Sequence, residues 1–283
     1  MFPAGRPDLH TRYLALRSGL RVRAVEAGRE NSQLILLLPG WGCSAYVFRE
    51  NLVPLANAGY HAVAVDLKGH GLSDKPTGPK EYRLVSMSAH VEEILEALGG
   101  KAIVCGLSMG AALGAHAAAS QPDRVRALVM VSPVGFVGVR GLNAIRAATP
   151  SLLNPLLPKV PGRWTVRLLL ELVNGKLREI SESDVDEYAA PMRFPEFVIA
   201  ARHLLHEFNW RAPFPALRVP CLMITGGQDR LVPRKAVEKY CASMPSAKHI
   251  ELQNAGHVIF DEAAPILNDA LLKFLEVNAK AIN

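Results

Sequence analysis

The sequence predicts an α/β fold: a mostly parallel central sheet flanked by helices, with a helical lid insertion. Three observations predict it. Short continuous apolar runs recur at 34–38 (LILLL), 61–66 (HAVAVD), 101–106 (KAIVCG), 127–132 (ALVMVS) and 221–226 (CLMITG). Runs of this length without alternation fit strands buried on both faces. Helical segments near 45–58, 85–98 and 109–120 fall between the runs, and that alternation builds a parallel sheet covered on both sides. Residues 136–215 then break the rhythm: they hold no clean strand and are rich in Leu, Arg and Pro.

Taken in order, residues 12–27 alternate apolar and polar on either side of Ser18-Gly19, as an edge hairpin does. The apolar runs follow as core strands, and KHIEL (248–252) reads as the last of them. The insertion carries amphipathic helical patterning. Placed over the carboxyl edge of the sheet, where open α/β sheets bind ligands, it reads as a lid. The expected division is a core from 1–135, a lid over 136–215 and a second core part over 216–283. The leucines of SLLNPLLPKV and VRLLLELV are expected to pack on the core and on one another. The alternative is contact with a hydrophobic acyl chain or a lipid surface when the lid opens.

A chain of 283 residues that is 49% apolar and 20% charged has the material for a sizeable core and none of the signature of disorder. Its formal charge of +6 comes from scattered residues, so no nucleic-acid partner is expected, only a mild bias toward anionic substrates or surfaces. No apolar stretch reaches about 18 residues, so no stable membrane insertion is expected. The first residues, MFPAGRPDLHTRYLALRSG, lack the apolar stretch of a leader. The expectation is a cytoplasmic monomer or homodimer. Cys43, Cys105, Cys221 and Cys241 form no C-x-x-C pair, and neither a metal nor an organic cofactor is expected. Cys105 and Cys221, inside apolar runs, read as buried thiols.

The chemistry gathers around Gly106-Leu107-Ser108-Met109-Gly110. It lies between a strand run and an alanine-rich helical run, the setting in which G-x-S-x-G holds a nucleophile on a tight strand-to-helix turn. Side chains two residues to either side of the serine would collide there, hence the glycines. The helix start aims its free N–H groups at the serine. A serine hydroxyl needs a base. His257, in a loop beyond the last strand, is the first choice among nine histidines; His70 lies in a turn-rich GHG loop. His61, His90, His116 and His249 read as ordinary, partly exposed residues, and His203 with His206 as part of the lid surface. The imidazole in turn needs an acid. Asp229 follows CLMITG at the end of a strand, whereas Asp261 is too close to His257 along the chain to be preferred.

These motifs resemble those of the α/β-hydrolase superfamily, and within it the lidded esterase/lipase-like branch. The resemblance rests on LLLPGWG (36–42), DLKGHGLSDKP (66–76), GLSMG (106–110), GGQDRLVP (226–233) and NAGH (254–257), in that order over nearly the whole chain. It implies the α/β-hydrolase fold and a triad of Ser108, Asp229 and His257. The family's other place for the acid, after ALVMVS, holds Ser132-Pro133-Val134 and no carboxylate. The resemblance also implies an oxyanion hole from the backbone N–H groups of Trp41 and Met109. The family's usual His-Gly is Pro39-Gly40 here, although Gly40 and Gly42 still permit the tight turn. DLKGHGLSDKP forms a turn in the family, so Asp66, His70 and Asp74 are expected to be structural. Gly40, Phe136 and Trp164 are placed at the substrate pocket; for the two aromatics the alternative is that they hold the lid down.

The implied activity is hydrolysis of a small-molecule carboxylic ester with a small or medium, rather hydrophobic acyl group, through an acyl-enzyme. Three other readings share the fold: a carbon–carbon bond hydrolase of ring-cleavage products, an acyltransferase or perhydrolase, and a ligand-sensing receptor. A serine in the nucleophile position argues against epoxide hydrolase and haloalkane dehalogenase chemistry, which needs a carboxylate nucleophile.

Overall fold

The computed structural model describes residues 2–157 and 162–282. Among them, eight strands form one sheet: β1 (His10–Ala15), β2 (Arg21–Ala27), β3 (Gln33–Leu38), β4 (Tyr60–Val65), β5 (Ala102–Leu107), β6 (Val125–Val131), β7 (Cys221–Gly226) and β8 (Lys248–Leu252). Their spatial order is β1-β2-β4-β3-β5-β6-β7-β8. The β1–β2 hairpin and the β2–β4 pair are antiparallel; every other neighbouring pair is parallel. The uninterrupted apolar runs are the central strands. In β3 the two-residue alternation sends Leu34, Leu36 and Leu38 into one core with Val104 and Leu113. It sends Ile35 and Leu37 into the other core with Phe48 and Leu267. A strand with a core on each face must be apolar at every position.

Helices α1 (Leu52–Asn57), α2 (Leu84–Leu98) and α3 (Met109–Ser120) precede the insertion. Within it run α4 (Leu142–Ala148), α5 (Arg163–Val173), α6 (Glu182–Ala189) and α7 (Pro195–Glu207), and after it α8 (Arg234–Ser243), α9 (Ile259–Glu262), α10 (Ala264–Val277) and α11 (Ala279–Ile282). The helix expected over 45–58 is divided into a short turn at Ala45–Phe48 and α1. Pro54 has no N–H and its ring collides with the carbonyl four residues back, so a helix cannot run through it from 45; in the first turn of α1 it is tolerated. No helix among the described residues is long and apolar enough to cross a membrane.

Residues 136–215 hold α4 to α7, and their leucines depart from the packing expectation. Val166 and Leu170 of α5 face inward and are buried, whereas Leu168 is 58% and Leu172 43% exposed. Of the preceding stretch, Leu152 is 86% and Leu156 55% exposed; its Pro158, Lys159 and Val160 lie outside the described residues. The eleven residues of α5 carry two apolar stripes, and a helix lying on a core buries only one face.

Candidate active site

Ser108 sits between β5 and α3 with φ +55° and ψ −111°, a conformation that costs a non-glycine residue roughly 1–3 kcal/mol. The surroundings dictate it. Its N–H donates to the carbonyl of Val131 on β6 at 2.8 Å, and its own carbonyl accepts from the amides of Ala111 and Ala112. A Cβ on Gly106 would lie 2.4 Å from the backbone of Gly110 and Ala111, and one on Gly110 would lie 2.2 Å from the Leu38 carbonyl oxygen. The two glycines therefore let α3 fold back tightly over the ends of β5 and β3.

Asp229 and His257 follow the ends of β7 and β8, on the same carboxyl edge. His257 Nδ1 and Asp229 Oδ2 are 2.7 Å apart, and both side chains are nearly buried. The other oxygen of Asp229 accepts from the amides of Leu231 (2.8 Å) and Val232 (2.9 Å). Burial alone would raise the pKa of this carboxyl, but the charge and hydrogen bond of His257 and the two amides hold it below its ordinary value. An ionised Asp229 fixes Nδ1 as the protonated nitrogen, so that Nε2 is the basic one. Asp229→Asn would present a donor or a carbonyl in place of that carboxylate. It is expected to lower kcat on the order of 10³- to 10⁴-fold, read by steady-state kinetics. A loss of only a few-fold would mean that the acid lies elsewhere.

The loop after β3 lies against the serine: a Cβ on Gly40 would sit 3.3 Å from Ser108 Cβ. Trp41 follows, and its indole Nε1 donates to the Ala201 carbonyl of α7 at 2.8 Å, tying this loop to the insertion. Met109 is fully buried as the first residue of α3, where a backbone N–H has no acceptor within the helix. Phe136, with φ +46°, packs edge-on against Phe214 and tilted against Tyr240, at centroid distances of 5.4 and 5.7 Å. Trp164 is not brought to this group: it lies in the first turn of α5 on the outer stripe, 67% exposed. A cavity of about 70 Å³ opens beside Asp229, lined by Ser132, Thr225 and Val232 among others. A larger one of about 320 Å³, between α4 and residues 208–211, is not lined by Ser108, Asp229 or His257.

The other motif residues are structural in their contacts. Asp66 is fully buried, forms an ion pair with Arg23 (2.8 Å) and accepts from the amides of Ala45 and Leu72. His70 is buried against Phe197, and burial pulls its pKa down to about 4. Two histidines differ from the reading above. His90 is buried, its Nε2 accepting from the Lys68 amide, because α2 packs over that loop. His203 is buried too, stacked on Tyr82 at 5.8 Å. Cys105 and Cys221 are buried thiols. Among the described residues no group of three or more His, Cys, Asp or Glu is disposed to hold a metal ion.

Sequence reasoning did not anticipate the supports of His257. Its N–H donates to the carbonyl of Val173, the last residue of α5, at 2.7 Å. Glu262 accepts from the amide of Gly256 just before it, at 2.7 Å. Neither contact leaves a periodic or motif signal.

The alpha/beta hydrolase family model matches residues 35–270. The AB hydrolase superfamily protein YfhM of Bacillus subtilis (strain 168) is 25% identical over 287 positions, covering 92% of this chain and 96% of the relative. Lipase 1 of Psychrobacter immobilis is 28% identical over 271 positions, covering 93% and 83%. Among solved structures, a serine hydrolase involved in carbazole degradation, the CarC enzyme, superposes with a TM-score of 0.78 at 21% identity, over 95% of this chain and 99% of that one. Solved epoxide hydrolases are also similar, one with a TM-score of 0.80 at 17% identity, over 94% of this chain and 98% of that one.

Proposed function

This chain belongs to the alpha/beta hydrolase family, and on that premise we propose that it is a serine hydrolase cleaving carboxylic esters of small or medium, rather hydrophobic acyl groups. The observation that carries the reading is the hydrogen-bonded His257–Asp229 pair on the sheet edge where Ser108 is held on a strained turn. The lipase among the relatives supports ester chemistry. Similarity to epoxide hydrolases at this level of identity concerns the fold, and a serine at position 108 does not supply the carboxylate nucleophile that their chemistry needs.

In the proposed cycle His257 takes the proton of Ser108 as Oγ attacks the ester carbonyl. The N–H groups of Trp41 and Met109 receive the developing oxyanion; loss of one such donor typically costs on the order of 10²- to 10³-fold in rate. His257 passes its proton to the leaving alcohol. A water deprotonated by the same imidazole then attacks the acyl-Ser108 ester and releases the acid. The helical insertion acts as the lid, with Phe136 and Gly40 at the pocket. No step requires a metal or an organic cofactor.

A series of p-nitrophenyl esters from acetate to laurate tests the proposal. Turnover should appear, with kcat/KM highest in the short to medium range. If no ester is consumed while a ring-cleavage dienoate is, carbon–carbon hydrolysis replaces the ester reading.

A further inference from the structure

The loop that presents His257 is bonded to the insertion as well as to the sheet. His257 N–H donates to Val173 O, and Lys176 N–H to Asn254 O at 3.2 Å. The two backbones are in direct contact. A Cβ on Gly256 would lie 2.4 Å from Gly175 N and from Val173 O; one on Gly175 would lie 2.5 Å from Asn254 O and 2.7 Å from a Glu262 carboxylate oxygen. Only glycine at both positions permits this approach. The Glu262 carboxylate, 5% exposed, joins both sides: one oxygen accepts from Gly256 N–H (2.7 Å) and the other from Leu177 N–H (3.3 Å). The preceding Asp261 accepts from Arg178 of the same insertion segment at 2.6 Å.

We infer that Glu262 is a positioning residue that fastens the insertion to the loop of His257, so that the placement of the base depends on the insertion being seated. The inference rests on the serine hydrolase reading for the role of His257. The physical reason is local. Between Gln253 and Val258, after β8 has ended, the loop of the base is tied to the sheet edge by Gln228 N–H on Ala255 O and by Ala255 N–H on Leu252 O, whereas the amides of Gly256 and His257 are satisfied by Glu262 and by Val173. Unseating residues 173–177 strips the Val173 acceptor from His257 and half of the Glu262 clamp from Gly256. Buried amides left unpaired do not stay in place, and a misplacement on the scale of 1 Å is enough to slow chemistry on the order of 10²-fold.

Amide hydrogen exchange on the wild-type protein tests the coupling. The amides of Lys176, Leu177, Gly256 and His257 should exchange as one cooperative group. Protection of Gly256 and His257 while Lys176 and Leu177 exchange freely would overturn the inference. Glu262→Gln keeps the shape but turns one acceptor into a donor facing an N–H. It should speed exchange of the whole group and lower kcat on the order of 10-fold with KM changed by less than about two-fold, and should weaken the downfield proton signal of the His257–Asp229 bond. Gly175→Ala, altering only the insertion side, should do the same. A folded Glu262→Gln protein with wild-type kcat and an unchanged downfield signal would also overturn it. The exchange measurement needs only the wild-type chain, so a variant that fails to fold leaves the inference open to refutation. Absence of ester turnover would sink the proposed function and leave the exchange result to decide the coupling.

Discussion

Ser108→Ala is expected to lower kcat toward esters by on the order of 10⁴-fold or more, with the fold intact. Loss of the proposed nucleophile would abolish the covalent route and leave only the residual effect of binding and of the proposed oxyanion donors. The variant should be as stable as the wild type. Alanine keeps the Cβ that makes φ +55° unfavourable, so the strain is neither relieved nor increased, and the Ser108 backbone bonds to Val131, Ala111 and Ala112 remain. Steady-state kinetics beside thermal unfolding separates the two effects. Full activity in a folded Ser108→Ala protein would remove the serine from the mechanism.

Arg49→Met is expected to destabilise the protein by about 3–5 kcal/mol, the usual consequence of leaving buried carboxylates without their cation. Arg49 is 7% exposed and its guanidinium bonds both Asp184 at 2.8 Å and Asp261 at 2.6 Å. It also stacks over the Tyr46 ring at 4.1 Å. Asp184 lies in the first turn of α6 in the insertion and Asp261 lies four residues after His257, so this cation ties the insertion and the core to the segment that follows His257. Arg178 bonds the same two carboxylates and limits the loss. Burial would raise the pKa of Asp184, but hydrogen bonds from Arg178, Ser181 and Tyr46 outweigh it and hold the group well below its ordinary value. A depressed folded-state pKa stabilises the protein above the ordinary carboxylate range, and that stability is lost as pH falls through and below it. Denaturant unfolding of the wild type from neutral pH down to about pH 3 should therefore show stability falling once the pH enters the ordinary carboxylate range. A wild type whose stability does not fall there, or an Arg49→Met variant as stable as wild type at pH 7, would contradict the assignment.

The central sheet was legible because β3, β5 and β6 carry a core on each face, and only uninterrupted apolar residues satisfy that. The turn at Ser108 was legible because Gly106 and Gly110 are demanded by contacts with Leu38, Gly110 and Ala111 that lie close in the strand-to-helix geometry. The network of Arg49, Arg178, Asp184 and Asp261 was not legible. Its members are up to 212 positions apart, and a charged residue far along the chain looks like surface until the fold brings its partner. Glu262 and Gly175 were missed for the same reason: their partners are backbone amides and carbonyls, which have no sequence identity. Trp164 and the outer leucines were misplaced because apolar character alone does not say which of the two stripes of α5 meets the core. The sequence reads His90 as a partly exposed residue and His203 as lid surface because a histidine paired with one backbone amide or one tyrosine ring carries no pattern.

In the proposed cycle Ser108 carries the acyl group during turnover. A fluorophosphonate, which traps such a serine, followed by intact-mass and peptide mass measurement, tests this. One phosphonate per chain is expected on the wild-type protein, located on the peptide containing Ser108, and none on Ser108→Ala. Labelling that persists in Ser108→Ala, or that maps to another residue in the wild type, would contradict it.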